Sequence, residues 1–140
     1  MLVIIMGCGR VGARLAQMLT HAGHEVTMVD LSSGAFSRLG PDFKGTTILG
    51  DGTDQEVLRR AGIERADAFV AATQGDNRNI MSSQIAKHIF GVQRVVTRIY
   101  DPLRSDTFAA LGLQAISPTI IGANAFYEQI TGDSASTVSV

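Results

Sequence analysis

The stretch VIIMGCGRVGARLA, positions 3 to 16, runs from an apolar pattern through three glycines into a helical one without a break. A Gly-x-Gly-x-x-Gly spacing carries little by itself and much more where it joins a strand to a helix. There, Gly7 permits the tight turn, Gly9 lets the backbone approach a pyrophosphate, and Gly12 lets the helix pack closely on the strand. The N–H groups that open the helix then face an anion. A chain that starts this way is restricted to a parallel α/β architecture with a phosphate at its first turn.

The remainder continues the alternation. Apolar or β-branched runs at 2–6, 25–29, 46–49, 68–71, 94–99 and 114–116 read as strands. Between them lie helical spacings, such as Val11, Leu15, Met18, Leu19 and Ala22, or Ile80, Ile85 and Ile89 behind the cap candidate Asp76. Gly23, Gly62, Gly91 and Gly112 stand where left-handed C-terminal caps belong. Residues 53–56 have capping-box spacing, and Asp101-Pro102 and Ser117-Pro118 place an N-cap oxygen before a proline suited to the first helical position. The expected fold is a doubly wound Rossmann α/β domain, a six-stranded parallel sheet with helices on both faces. The core spans 1–118, a crossover or association helix 119–131, and a flexible tail or linker 132–140.

Composition narrows the partners. With 140 residues and 45% hydrophobic content, the chain builds one compact core. A net charge of −1 with no Lys/Arg block excludes an electrostatic footprint for nucleic acid and speaks against a redox-sensing repressor. The single cysteine, Cys8, forms no internal disulfide, and no leader pattern or run near ~18 apolar residues is seen, so a cytoplasmic placement is expected. His21, His24 and His88 show no metal-ligand spacing with one another or with Cys8.

Candidate ligand residues cluster where strands end, because ligands of open parallel sheets sit beyond the C-terminal strand ends. Asp30 closes the second strand, 18 residues after Gly12, where a carboxylate accepts ribose hydroxyls; its other reading is a cap for the residues that follow. With no adjacent arginine, it disfavours a 2′-phosphate. Arg10 lies inside the turn, either folded over a di- or triphosphate or solvated. Cys8 reads as a small filler. Asp51-Gly52 and the segment 73–79 fall on the rim; Asp51 offers its carboxylate or its backbone to an adenine, Asp76 reads as a helix cap, Asn77 and Asn79 as cap or contact. Arg98 closes the fifth strand on the same rim.

A dehydrogenase needs a substrate pocket and a positioned proton donor as well as a cofactor cleft. No His/Asp or Ser/Tyr/Lys constellation falls on the rim, so a binding domain is expected rather than an enzyme, with a cofactor domain of an NAD-dependent oxidoreductase as the alternative. The last helix spreads Ile120, Ile121, Phe126 and Ile130 around more of its circumference than one sheet face covers. It either packs as the final helix of the fold or serves as a dimer surface.

The strings MGCGRVGARLAQMLTHAGHEVTMVD, LGDGTD, AFVAATQGDNRNI, VVTRIYDP and LGLQAISP resemble, in order and spacing, the nucleotide-binding domain of Trk/Ktr-type potassium-transport regulators. That domain is the N-terminal half of the RCK module (regulator of potassium conductance), and the resemblance spans residues 1–131. It implies a regulatory subunit, peripheral to the inner face of the membrane, bound to a membrane-embedded potassium transporter or channel that NAD(H), ATP or ADP controls. It also implies a homo-oligomer, a dimer or a higher ring, and a smaller C-terminal lobe in the full module. Carried onto matching positions, Gly7, Gly9, Arg10 and Gly12 hold phosphates, Asp30 the ribose, Asp51 the adenine side, and Thr73 and Arg98 the rim. Cys8, Val11, Leu31 and Gly52 complete the candidate set. The family shows an acidic pair then Asn after the fourth strand, whereas Asn77 follows Asp76 here.

Overall fold

The computed structural model describes residues 1–101 and 105–138. Strand β1 (Leu2–Met6) buries all five residues, as the unbroken apolar run LVIIM requires of a strand covered on both faces. Five more strands follow: β2 (Glu25–Asp30), β3 (Thr46–Leu49), β4 (Ala68–Ala71), β5 (Arg94–Arg98) and β6 (Gln114–Ile116). The sheet order is β3-β2-β1-β4-β5-β6 and every pair is parallel. This is the doubly wound arrangement expected from the sequence. Its order reverses between β1 and β4, so a crevice opens at the C-terminal ends of those two strands.

The helices are α1 (Arg10–His21), α2 (Gln55–Arg60), α3 (Asp76–Gln84, continued by a π-helical turn Ile85–Ile89), α4 (Ser105–Ala110) and α5 (Pro118–Thr131). Side chains of β1 alternate between two cores. Val3 and Ile5 join Val26, Met28, Ala13 and Ala16 on the α1 side; Ile4 and Met6 join Val29, Leu58, Phe69 and Ile85 on the other.

The apolar spacing located the helices and part of their inward faces, since Leu15, Leu19, Ile80 and Ile85 pack on the core, but it also took in residues that face solvent. In α1, Val11 and Met18 are exposed, while Gly12, Ala13 and Ala16 lie against the sheet. In α3, Ile89 beyond its end is exposed, and the inward residues are Asn79, Ser82 and Ser83. Small and polar residues bring both helices close to the strands, with Leu15, Leu19, Ile80 and Ile85 flanking them and Val11, Met18 and Ile89 outside. The glycine caps stand as expected, with positive φ at Gly23, Gly62, Gly91 and Gly112. Ser117 caps α5 through the Ile120 N–H with Pro118 at the first position. Two caps differ: Asp54, rather than Thr53, caps α2, and Gly75 precedes α3, freeing Asp76 for another task. The Asp101-Pro102 cap lies outside the described residues.

Helix α5 buries none of its residues; Ile121, Phe126 and Ile130 are 58%, 73% and 82% exposed. It does not close the sheet as a final packed helix, and a short 3-10 turn, Ala135–Thr137, is its main neighbour.

Candidate functional site

The chain leaves β1 through Gly7, whose φ of +109° a side chain would strain and whose Cβ would lie 2.8 Å from the backbone of Ala72 and Thr73. The turn is thus pressed against the end of β4. A Cβ on Gly12 would stand 1.9 Å from the Gly7 carbonyl oxygen, so only glycine lets α1 start here. Gly9 differs, because a Cβ on it meets nothing within 4 Å. Its surroundings are open where a ligand's phosphates would approach. Helix α1 has no side-chain cap and no acidic residue in its first turn, which leaves the N–H groups of that turn without a side-chain acceptor.

Asp30 is built into this turn. Its Oδ2 accepts the Cys8 N–H at 2.7 Å and its Oδ1 accepts the Ser32 N–H at 2.8 Å. One carboxylate therefore holds the glycine turn to the end of β2 and retains lone pairs for further donors. The Cys8 thiol donates to the Ala35 carbonyl at 3.2 Å; burial, and then the Asp30 charge, push it above its ordinary range. It is a packed filler and not an activated thiol.

Two cavities meet at the turn. The larger, of about 990 Å³, is lined by Gly7, Cys8, Gly9, Arg10, Val11, Asp30, Thr73 and Arg98 among others. The smaller, of about 150 Å³, is lined by Met6, Val29, Leu31, Gly50, Gly52 and Arg78, and shares Gly7, Asp30 and Thr73 with its neighbour. Of the twelve candidates, Gly12 and Asp51 line neither cavity. Gly12 supports the turn from beneath. The Asp51 carboxylate is engaged through Oδ1 by the Thr53 N–H at 2.9 Å, the Thr53 hydroxyl at 2.7 Å and Arg78 at 2.8 Å. These partners, the Thr53 N–H foremost, hold it below the usual carboxylate range.

Several lining residues escaped the sequence reading, four of them with polar side chains: Ser32, Ser37, Arg38 and Tyr100. Ser37 and Arg38 come from the 3-10 turn after β2 and Ser32 precedes it, and Arg38 donates to the Cys8 carbonyl at 3.3 Å. No arginine adjoins Asp30 in sequence, yet Arg38 lines the same cavity. Tyr100 lies under the Arg98 guanidinium, 4.4 Å from its ring centroid, and accepts a hydrogen bond from it at 2.6 Å. Only the spacing of Tyr100 two residues beyond Arg98 could have pointed to it.

The fold, the glycine turn and the carboxylate tied to it define a Rossmann-type nucleotide-binding domain. The TrkA-N domain model matches residues 3–118, and the chain belongs to that family. It is 47% identical over 115 residues to the Trk system potassium uptake protein TrkA of Streptomyces coelicolor, matching 82% of this chain and 52% of that protein. The chain thus spans about half the length of that relative. Among solved structures, the GsuK channel bound to NAD superposes with a TM-score of 0.77 at 27% identity, covering 91% of this chain and 22% of the channel. GsuK bound to ADP gives 0.79 at 26% identity, covering 94% and 34%.

Proposed function

We propose that this chain is the nucleotide-sensing part of a regulatory subunit of a potassium uptake transporter or channel, with NAD(H) or ATP/ADP as the signal. The observation that carries the reading is the bond between the Cys8 N–H and Asp30, which fuses phosphate turn and ribose acceptor into one preformed unit at the mouth of a 990 Å³ cavity. In this reading the turn of Gly7 to Gly12 holds phosphates, with Cys8 and Val11 contributing backbone, and Arg10 covers the distal ones. Asp30 takes the ribose. The base enters the smaller cavity among Leu31, Gly50 and Gly52, with Asp51 and Arg78 closing its edge, while Thr73 and Arg98 meet the far half of the ligand.

The bound molecule is a signal rather than a reactant. The groups nearest the turn serve binding in this reading: Asp30 holds two backbone N–H groups and takes the ribose with its remaining lone pairs, and the Cys8 thiol is given to a carbonyl. No helix among the described residues is long and apolar enough to cross a membrane. By its likeness to Trk potassium uptake proteins, the chain works on the cytoplasmic side with a membrane-embedded transporter or channel as partner. The exposed face of α5 is the association surface of a homodimer or larger ring.

Thermal unfolding with NAD+, NADH, ATP and ADP in turn tests the reading. At a hundredfold excess over Kd, binding adds about 2.7 kcal/mol and raises Tm, while the nucleotide is recovered unchanged. An unchanged Tm with all four, or conversion of the bound nucleotide, contradicts it.

A further inference from the structure

Helix α3 carries a buried polar group where an apolar one would be expected. Asn79 is completely buried, and its amide makes every hydrogen bond available to it. Oδ1 accepts the Thr73 N–H at 3.0 Å and the Thr73 hydroxyl at 2.6 Å. Nδ2 donates to the Thr73 carbonyl at 2.9 Å and to the Arg98 carbonyl at 3.0 Å. The donor-only and acceptor-only backbone partners fix which end of the amide is which. One side chain therefore joins the end of β4 to the end of β5.

Its neighbours on the helix reinforce the same junction. Asp76 accepts the N–H groups of Tyr100 and Asp101 at 2.8 and 3.1 Å, and Ser83 accepts the buried Thr97 hydroxyl at 2.7 Å. Of these residues, only Thr73, Arg98 and Tyr100 line the large cavity.

We infer that Asn79 is a positioning residue that sets the width of the crevice between Thr73 and Arg98, and so selects for nucleotides extending beyond their first phosphate. The inference rests on the crevice holding an adenine nucleotide, as proposed above. The topology separates two halves of such a ligand. Leu31, Gly50 and Gly52 line only the small cavity, on the β2–β3 side of the glycine turn, whereas Arg98 and Tyr100 line only the large one, on the β5 side, and Thr73 borders both. A mononucleotide monophosphate fills the first side and reaches only the turn. A second or third phosphate, or the second nucleoside of NAD(H), crosses to the side that Asn79 holds. A buried amide satisfied at four points is costly to replace, because any substitute leaves two carbonyls or two donors unpaired.

Asn79→Asp keeps the size and the acceptor oxygen but sets a carboxylate against the Thr73 and Arg98 carbonyls. Calorimetry of the wild type and this variant with AMP, ADP, ATP and NADH reads the consequence. The expected result is about tenfold weaker binding of ADP, ATP and NADH with AMP held within about twofold, a change in selectivity that general destabilisation does not produce. Ser83→Ala, which removes another buried bond of the same helix, serves as the structural control and leaves the AMP-to-ADP ratio unaltered. Should Asn79→Asp not fold by circular dichroism, Asn79→Ser, too short to span both carbonyls, carries the same comparison. Equal losses for all four ligands, or an unchanged ratio in the folded variant, overturn the role of Asn79. A wild type that binds none of the four overturns the nucleotide reading itself, and this inference with it.

Discussion

The first strand-turn-helix unit and the last helix are both rich in apolar residues, yet the chain finishes only one of them. In the first, Leu2 to Met6 are buried, Gly12, Ala13 and Ala16 seat α1 on the sheet, and Asp30 ties the turn to β2. In the second, α5 holds Ile121, Phe126 and Ile130 in solvent. Burying a side chain of that size is worth about 1.5–3 kcal/mol, so leaving three of them exposed on one helix forgoes much of the stability a domain of this size has. On the proposed reading, the first region receives the nucleotide and the second meets another subunit.

The contrast breaks most readily at the turn. Gly12→Ala forces a Cβ into the Gly7 carbonyl, backbone against backbone, and is expected to cost about 3 kcal/mol in urea unfolding and to abolish nucleotide binding. A variant that melts with the wild type would mean that the turn has slack. Asp30→Ala removes a ribose acceptor and also frees the Cys8 N–H, so every adenine nucleotide should weaken by about 1.5–3 kcal/mol. Arg10→Ala sharpens the assignment, since a residue that reads terminal phosphates weakens ATP more than NAD+, and equal losses would remove that role.

At the other end, Phe126→Asp is expected to change monomer stability by no more than about 0.5 kcal/mol, because the ring is 73% exposed. Sedimentation should show the wild type dimeric and the variant monomeric. A wild type monomeric at high micromolar concentration breaks the comparison; a folded, dimeric variant moves the interface elsewhere. The smallest effect belongs to Asp51. Its carboxyl is held low chiefly by the Thr53 N–H, so the stabilisation is present above its unfolded value of about 3.9 and lost as pH falls through the folded value. Asp51→Asn should therefore lower Tm slightly at pH 6 and merge with the wild type in strong acid. Because the side chain is 40% exposed, the difference is small.

Strand positions, the parallel sheet and the glycine turn are legible in the sequence because each rests on local chemistry: β-branched runs alternating with helical spacings, positive-φ glycines, a turn that only glycine fits. Buried helix faces are less so. Periodicity pointed to Leu15, Leu19, Ile80 and Ile85, which pack on the core, and to Val11, Met18 and Ile89, which are exposed, because close packing on a parallel sheet selects small or polar residues that apolar spacing does not register. Asp76 looked like a cap and instead holds the backbone of Tyr100 and Asp101, a contact between segments far apart in sequence. Arg38 and Tyr100 join the candidate site the same way, through tertiary proximity, while Arg78 falls in the rim segment 73–79 read from the sequence. The readings of Thr73 and Arg98 came from resemblance and strand-end position. The Asn79 bridge between them is visible only in the fold.

The central claim is that Asp30 and the glycine turn form one preformed adenine-nucleotide site. Titration calorimetry of the intact chain with NAD+, NADH, ATP and ADP, repeated on Asp30→Ala, tests it most directly. The account predicts saturable binding of at least one nucleotide at one site per chain, and a loss of about tenfold or more in the variant. No heat from any of the four at millimolar concentration, or unchanged affinity in a folded Asp30→Ala, would contradict it.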